Sequence, residues 1–179
     1  MKTPWTLRLL PLVILLVAVP TAYSQDTASR DKTRERLNTL LTRVGPELKV
    51  TFQQSTKNPY NFAGSMKDGL TNCESLEIVM IVTENATIGI RVFPHYSGGY
   101  INVDKARNPV QLLRKLAQLN YSCFLFWGAD DTGDVFTGYT FTLESGFPDA
   151  AITIVLESIK NADKFVGQMK PSIDGSSAP

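Results

Sequence analysis

One histidine, two cysteines and a tight group of aspartates are the side chains in this 179-residue sequence whose types could carry chemistry. His95 sits in Phe93-Pro94-His95-Tyr96-Ser97-Gly98-Gly99. A lone histidine cannot build a multi-histidine metal site. It could serve as base to a hydroxyl or thiol nucleophile. Its setting, however, reads as a strand end and turn, so an exposed loop residue is expected. Cys73 and Cys123 are too far apart for Cys-x-x-Cys exchange chemistry. They form a candidate disulfide around a loop of about 50 residues, which in an oxidising compartment would contribute roughly 4 kcal/mol. The competing reading makes Cys123 a small hydrophobe inside an apolar strand. Asp130, Asp131 and Asp134 invite a calcium reading, but an EF-hand loop needs Gly at its sixth position and Glu at its twelfth. Counted from Asp130, those positions hold Val135 and Phe141, so a solvated hairpin turn is expected. There is no Gly-rich phosphate loop and no Gly-x-Ser-x-Gly elbow, and pairs such as Glu144 with Asp149 occur in any soluble chain. No catalytic, cofactor-binding or metal site is predicted, and no enzyme activity.

The aromatic residues are more informative. Phe124, Phe126, Trp127, Phe136 and Tyr139 concentrate in one stretch. They are candidate interface residues for a dimer or partner surface. The competing reading places them in a single hydrophobic core.

The elements that must position these residues follow from periodicity. Asn108 is an N-cap with Pro109 at the first helical position. Leu112, Leu113, Leu116 and Leu119 recur at helical spacing, and Asn120 is expected to close the helix. Tyr121 to Trp127 reads as a strand apolar on both faces. After the Asp/Gly turn, Val135 to Leu143 alternates as a half-buried antiparallel partner. Gly146 to Pro148 breaks the run. A closing helix carries Ile152, Val155, Leu156, Ile159, Ala162 and Val166, and Pro171 is expected to stop it.

Upstream, an amphipathic helix from Arg30 presents Leu37, Leu40, Leu41 and Val44 and should end at Gly45-Pro46. Leu48, Val50 and Phe52 alternate as a strand, with Tyr60 to Met66 either a short strand or its continuation. Leu76 to Val82 is apolar on both faces and therefore central. Asn85-Ala86-Thr87 turns it into Ile88 to Val92, where Gly89 and Arg91 lie opposite the apolar set.

The first 24 residues read as a signal peptide. Lys2 and Arg8 form a positive start, Leu9 to Val19 an apolar run shorter than the ~20 residues a membrane span needs, and Ala22-Tyr23-Ser24 a cleavage signal. Cleavage near Ser24/Gln25 leaves 16 basic against 17 acidic residues, a net charge of −1. Such a chain has no electrostatic reason to hold nucleic acid or an anionic membrane, and no stable membrane insertion is expected after cleavage. Residues 25–29 and 171–179 are expected to be loose or disordered. Asn85-Ala86-Thr87 and Asn120-Tyr121-Ser122 match a glycosylation sequon that matters only in a eukaryotic secretory route. The expected setting is instead a bacterial periplasm or exterior.

The fold class is α+β: one domain over 30–170, ordered α-β-β-β-α-β-β-α, with helices packed on an antiparallel sheet. This order, the Leu-rich helix running into an aromatic strand, the Asp/Gly turn and the last helix resemble the YbjN domain family. They are also similar to the class I type III secretion chaperones. The resemblance covers nearly all of the mature chain and implies a small domain that dimerises and offers a sheet face or groove to a polypeptide. It supplies no functional residues, and an export signal departs from the cytoplasmic chaperones. Two functions follow as expectations. One is a non-catalytic, chaperone-like binding module, acting on a polypeptide partner or on itself as a homodimer. The alternative is a small-ligand-binding protein or minor enzyme with a pocket between sheet and helices.

Overall fold

A computed structural model describes residues 27–177. The signal-peptide reading of residues 1–24 falls outside them. The fold is α+β, with helices packed on one side of an antiparallel sheet. Helix α1 (Thr27–Leu48) leads to β1 (Gln53–Gln54), β2 (Asn61–Met66), β3 (Ser75–Val82), β4 (Thr87–Tyr96) and β5 (Gly99–Tyr100). Helix α2 (Pro109–Ser122), β6 (Phe126–Ala129), β7 (Val135–Thr142), α3 (Asp149–Ser158) and α4 (Ala162–Ile173) complete it. The strands lie in the order β1-β2-β3-β4-β7-β6, with β5 folded back on the end of β4. None of the helices among the described residues is long and apolar enough to cross a membrane.

Register decides which residues face the helices. Ile78 lies opposite Val92, Met80 opposite Ile90, and Ile88 opposite Phe141. These side chains share one face and are fully or nearly fully buried. Against them pack Leu37, Leu40 and Leu41 of α1, Leu112 and Leu116 of α2, Ile152 and Leu156 of α3, and Val166 and Met169 of α4. The strand period of two then puts Glu77, Val79, Ile81, Arg91, Phe93, Phe126 and Phe136 on the opposite face. None of these belongs to the core cluster, and each is only half-buried. No element of the described chain covers that face.

Several boundaries differ from expectation. Helix α1 passes through Gly45-Pro46 to Leu48, because Pro46 forfeits only one backbone donor one turn from the end. Its carbonyls are closed by Lys49, whose φ is +55, and by Val50, which donates to Gly45 at 2.9 Å. The alternating Leu48, Val50 and Phe52 therefore make the helix end and a connection, not a strand. Thr27 to Ser29 belong to α1 and are not loose. Helix α2 continues past Asn120 to Ser122, so β6 begins only at Phe126. Asn120 instead serves the sheet. Its amide donates to Trp127 O at 3.0 Å and its carbonyl accepts from Trp127 N, so the outer edge of β6 is satisfied by the helix. The closing helix is two helices joined by one 3-10 turn at Ile159–Asn161, and Pro171 lies inside the second, which ends at Ile173.

The joint is fastened by Asp163. This buried carboxylate in the first turn of α4 collects the Thr71, Asn72 and Cys73 backbone N–H groups, together with their side chains.

Candidate functional site

One cation and a group of aromatic rings gather on the uncovered face of the sheet, near its centre. Arg91 of β4 lies between Val79 of β3 and Gly138 of β7. The missing Cβ at Gly138 leaves the room its side chain needs: a Cβ there would come within 3.2 Å of the Arg91 guanidinium. The guanidinium sits over two rings, 4.8 Å from the Phe126 centroid and 5.0 Å from that of Phe136. Such cation–π contacts hold a charge on an apolar surface. One of its nitrogens donates to Ile90 O at 3.0 Å. No carboxylate of the described residues lies within ion-pair distance of Arg91. Burial lowers its pKa from the ordinary arginine value; the group nonetheless stays charged.

The aromatic surface continues from there. Phe93 and Phe136 meet at a tilt with centroids 5.7 Å apart, Phe126 meets Phe136 edge-on at 5.8 Å, and Phe93 reaches Tyr100 at 5.7 Å. The rim beyond is polar. The Tyr100 hydroxyl donates to Glu77, and His95 Nε2 lies 3.4 Å from the same carboxylate oxygen while its ring meets Tyr100 edge-on. The bond to Glu77, then burial, pushes the Tyr100 hydroxyl up to about 12. His95 is therefore not a loop residue. It is a strand residue, held in a Glu77–Tyr100 cluster at the end of the aromatic ridge, because β4 runs to Tyr96 before turning.

The five aromatics expected to form an interface are split by the pleat. Phe126 and Phe136 are on the open face. Trp127 points the other way, is 4 % exposed and packs edge-on against Phe165 of α4, so it is core rather than surface. Tyr139 faces the helix layer beside Phe141, while Phe124, 58 % exposed, lies near it in the connection before β6. Arg91, Phe93 and Tyr100 were not singled out from the sequence. The usable signal was the off-beat of β3 and β4: Val79, Ile81 and Phe93 are too apolar for positions facing water.

The aspartate group is a turn. Asp130 accepts from Thr132 N and Oγ1 and from Asp134 N, and Asp130 N donates to Asp134 O. Burial would raise the Asp130 carboxyl; these bonds outweigh it and lower the pKa. Among the described residues no group of His, Cys, Asp and Glu side chains is arranged to hold a metal ion.

The cysteines are both free, so the candidate disulfide is not formed. Cys73 instead uses its thiol as a donor to Asp163, at 3.3 Å. Burial first, then Asp163, pushes this thiol up to about 12. Cys123 follows the end of α2 and borders a cavity of about 270 Å³ lined also by Leu125, Trp127, Asn161 and Phe165. The buried Trp127 Nε1 has no hydrogen-bond partner among the described residues. A thiol reagent at pH 8 should therefore label one site in the folded protein, Cys123, and two in unreduced denaturant, since the thiolate is the nucleophile. A Cys123→Ser variant should be silent until unfolded. Fewer than two thiols in denaturant would restore the disulfide.

Compared with family models and with curated proteins, the chain matches none, and the geometry of the open sheet face carries the functional reading by itself.

Proposed function

We propose that this chain is a non-catalytic, exported binding module that holds a polypeptide on the uncovered face of its sheet. The observation that carries the reading is the row Phe93, Phe126 and Phe136 with Val79 and Ile81, left uncovered on the face opposite the helices. A continuous apolar surface rimmed by polar groups is the usual mark of an interaction site. Here the rim is Glu77, His95 and Tyr100. The element order behind the likeness to the YbjN domain and secretion-chaperone folds supports the same reading, with another polypeptide or a second copy as partner.

Site-specific photocrosslinking in the producing cells tests it. A benzophenone amino acid at position 93 or 136 should give discrete light-dependent adducts with polypeptide. The same group at position 154, an exposed residue of α3 among the helices, should give none. Adducts from position 154 alone, or from no position in a folded protein, would sink the proposal.

The small-ligand reading keeps one observation in its favour: the cavity of about 270 Å³ beside Cys123, with Leu125, Trp127 and Phe165 among its lining residues. Native mass spectrometry of the purified mature chain decides this reading: a retained small molecule supports it, and a bare polypeptide mass removes it.

A further inference from the structure

We propose that Arg91 is a carboxylate receptor, and that the polypeptide held on the open sheet face presents an Asp or Glu side chain flanked by apolar residues. The inference rests on the binding role proposed above and names what is bound. A guanidinium carries five N–H donors in a planar fork, suited to bidentate capture of a carboxylate. Arg91 spends one donor on Ile90 O, and its guanidinium lies 4.8 Å from the Phe126 ring centroid and 5.0 Å from that of Phe136. The remaining donors have no acceptor among the described residues. Glu77, an acid on this face, is already engaged by Tyr100 and His95. A surface charge that ends beside water needs no counter-ion. One set in the middle of an aromatic surface does as soon as that surface is covered, since an uncompensated buried charge is strongly unfavourable.

The same position argues against a second copy as the occupant. Arg91 is on β4, in the interior of the strand order. A two-fold, face-to-face contact centred there brings two unpaired guanidinium groups together in a drying interface. Charge complementarity selects an acidic partner instead. The apolar flanks come from what surrounds the cation: a partner residue on either side of the acid would rest on Phe93 or Phe136.

Random peptides displayed on phage and selected on the purified mature chain test the inference, followed by affinity measurements with the selected peptides as synthetic probes. Expected is enrichment of a single Asp or Glu within an apolar frame. Such a peptide should bind Arg91→Met roughly 30-fold or more weakly. Arg91→Lys, which keeps charge without the fork, should be intermediate, and Arg91→Glu should favour Lys or Arg in place of the acid. Thermal melts identify any variant that fails to fold, and Arg91→Lys carries the test if Arg91→Met does so. Peptides without an acid that bind Arg91→Met normally but lose binding on Phe136→Ser overturn the carboxylate inference and leave the face as a binding site. Peptides indifferent to both substitutions overturn both readings. Self-association that depends on Phe136, with no peptide enriched, makes the occupant a second copy and also overturns the inference.

Discussion

At pH 7, Asp163→Ala should cost about 3–5 kcal/mol of folding stability, the largest loss expected from any single polar substitution in this chain. The carboxylate is 7 % exposed and takes three donors on each oxygen. Oδ1 receives Asn72 N at 2.7 Å, Cys73 N at 2.9 Å and the Cys73 thiol. Oδ2 receives Thr71 N, the Thr71 hydroxyl and the Asn72 amide. Its place in the first turn of α4 adds the helix dipole in the favourable sense. Truncation strands three backbone donors at the entrance to β3 and unfastens α4 from the sheet. Burial alone would raise this carboxyl, but the hydrogen bonds from Asn72, Thr71 and Cys73 prevail and hold it well below the ordinary carboxylate range.

A folded-state pKa below the unfolded one gives stability that is fully present above the unfolded value of about 3.9 and is lost as pH falls through the folded one. The wild-type protein should therefore lose this contribution only below about pH 4. Asp163→Asn should be less stable at neutral pH and should lack that segment of acid dependence. Urea titrations at several pH values measure both effects. A loss under 1 kcal/mol for Asp163→Ala at pH 7 would contradict the role given to this residue. Asp163→Ala should also make Cys73 easier to label, because the acceptor that pins its proton is gone.

Nothing local marks Asp163 in the sequence. It reads as one more polar position in a helix, and its partners lie about ninety residues earlier, so its role exists only once α4 docks beside the start of β3. The fold class was legible because it depends on periods: two-residue alternation in Ile88 to Val92 and in Val135 to Leu143, and helical spacing in Leu37 to Val44. The α2–β6 junction was not. Tyr121-Ser122-Cys123-Phe124-Leu125 is apolar enough to read as strand, yet Asn120 ties α2 directly to Trp127 and leaves no room for a longer one. The site was half legible. The aromatic hairpin was visible, but which of its rings share a face depends on the register of β6 on β7, where Phe126 meets Gly138 and Trp127 meets Thr137. A one-residue change in strand start exchanges the two faces. Arg91 could be placed opposite the apolar set of its strand, but its lack of a counter-ion is a property of the assembled sheet.

Gly138 links the stability of that sheet to its site, and a pair of glycine substitutions should separate the two neighbouring strands. A Cβ at Gly138 would fall inside contact distance of the Ile90 carbonyl oxygen and press on the Arg91 side chain. The carbonyl is backbone in the middle of a ladder and cannot rotate away, so β4 and β7 must part or the guanidinium must leave its seat. Gly138→Ala should cost about 3 kcal/mol, the upper range for overpacking, and should weaken any acidic peptide that Arg91 holds. Gly89→Ala, on the adjoining strand and the same face, is the comparison. A Cβ there meets nothing within 4 Å, so only the entropy of the unfolded chain changes, and a gain of roughly 0.5 kcal/mol is expected. Chemical denaturation of the two variants gives the signs directly. Equal effects would mean that the sheet relaxes around Gly138 and that the seat of Arg91 is not built by its missing side chain. Opposite signs, with the shift of Arg91 visible as altered fluorescence quenching or ring-proton shifts of Phe126 and Phe136, would fix Gly138 as the residue that gives the Arg91 guanidinium room beside these rings.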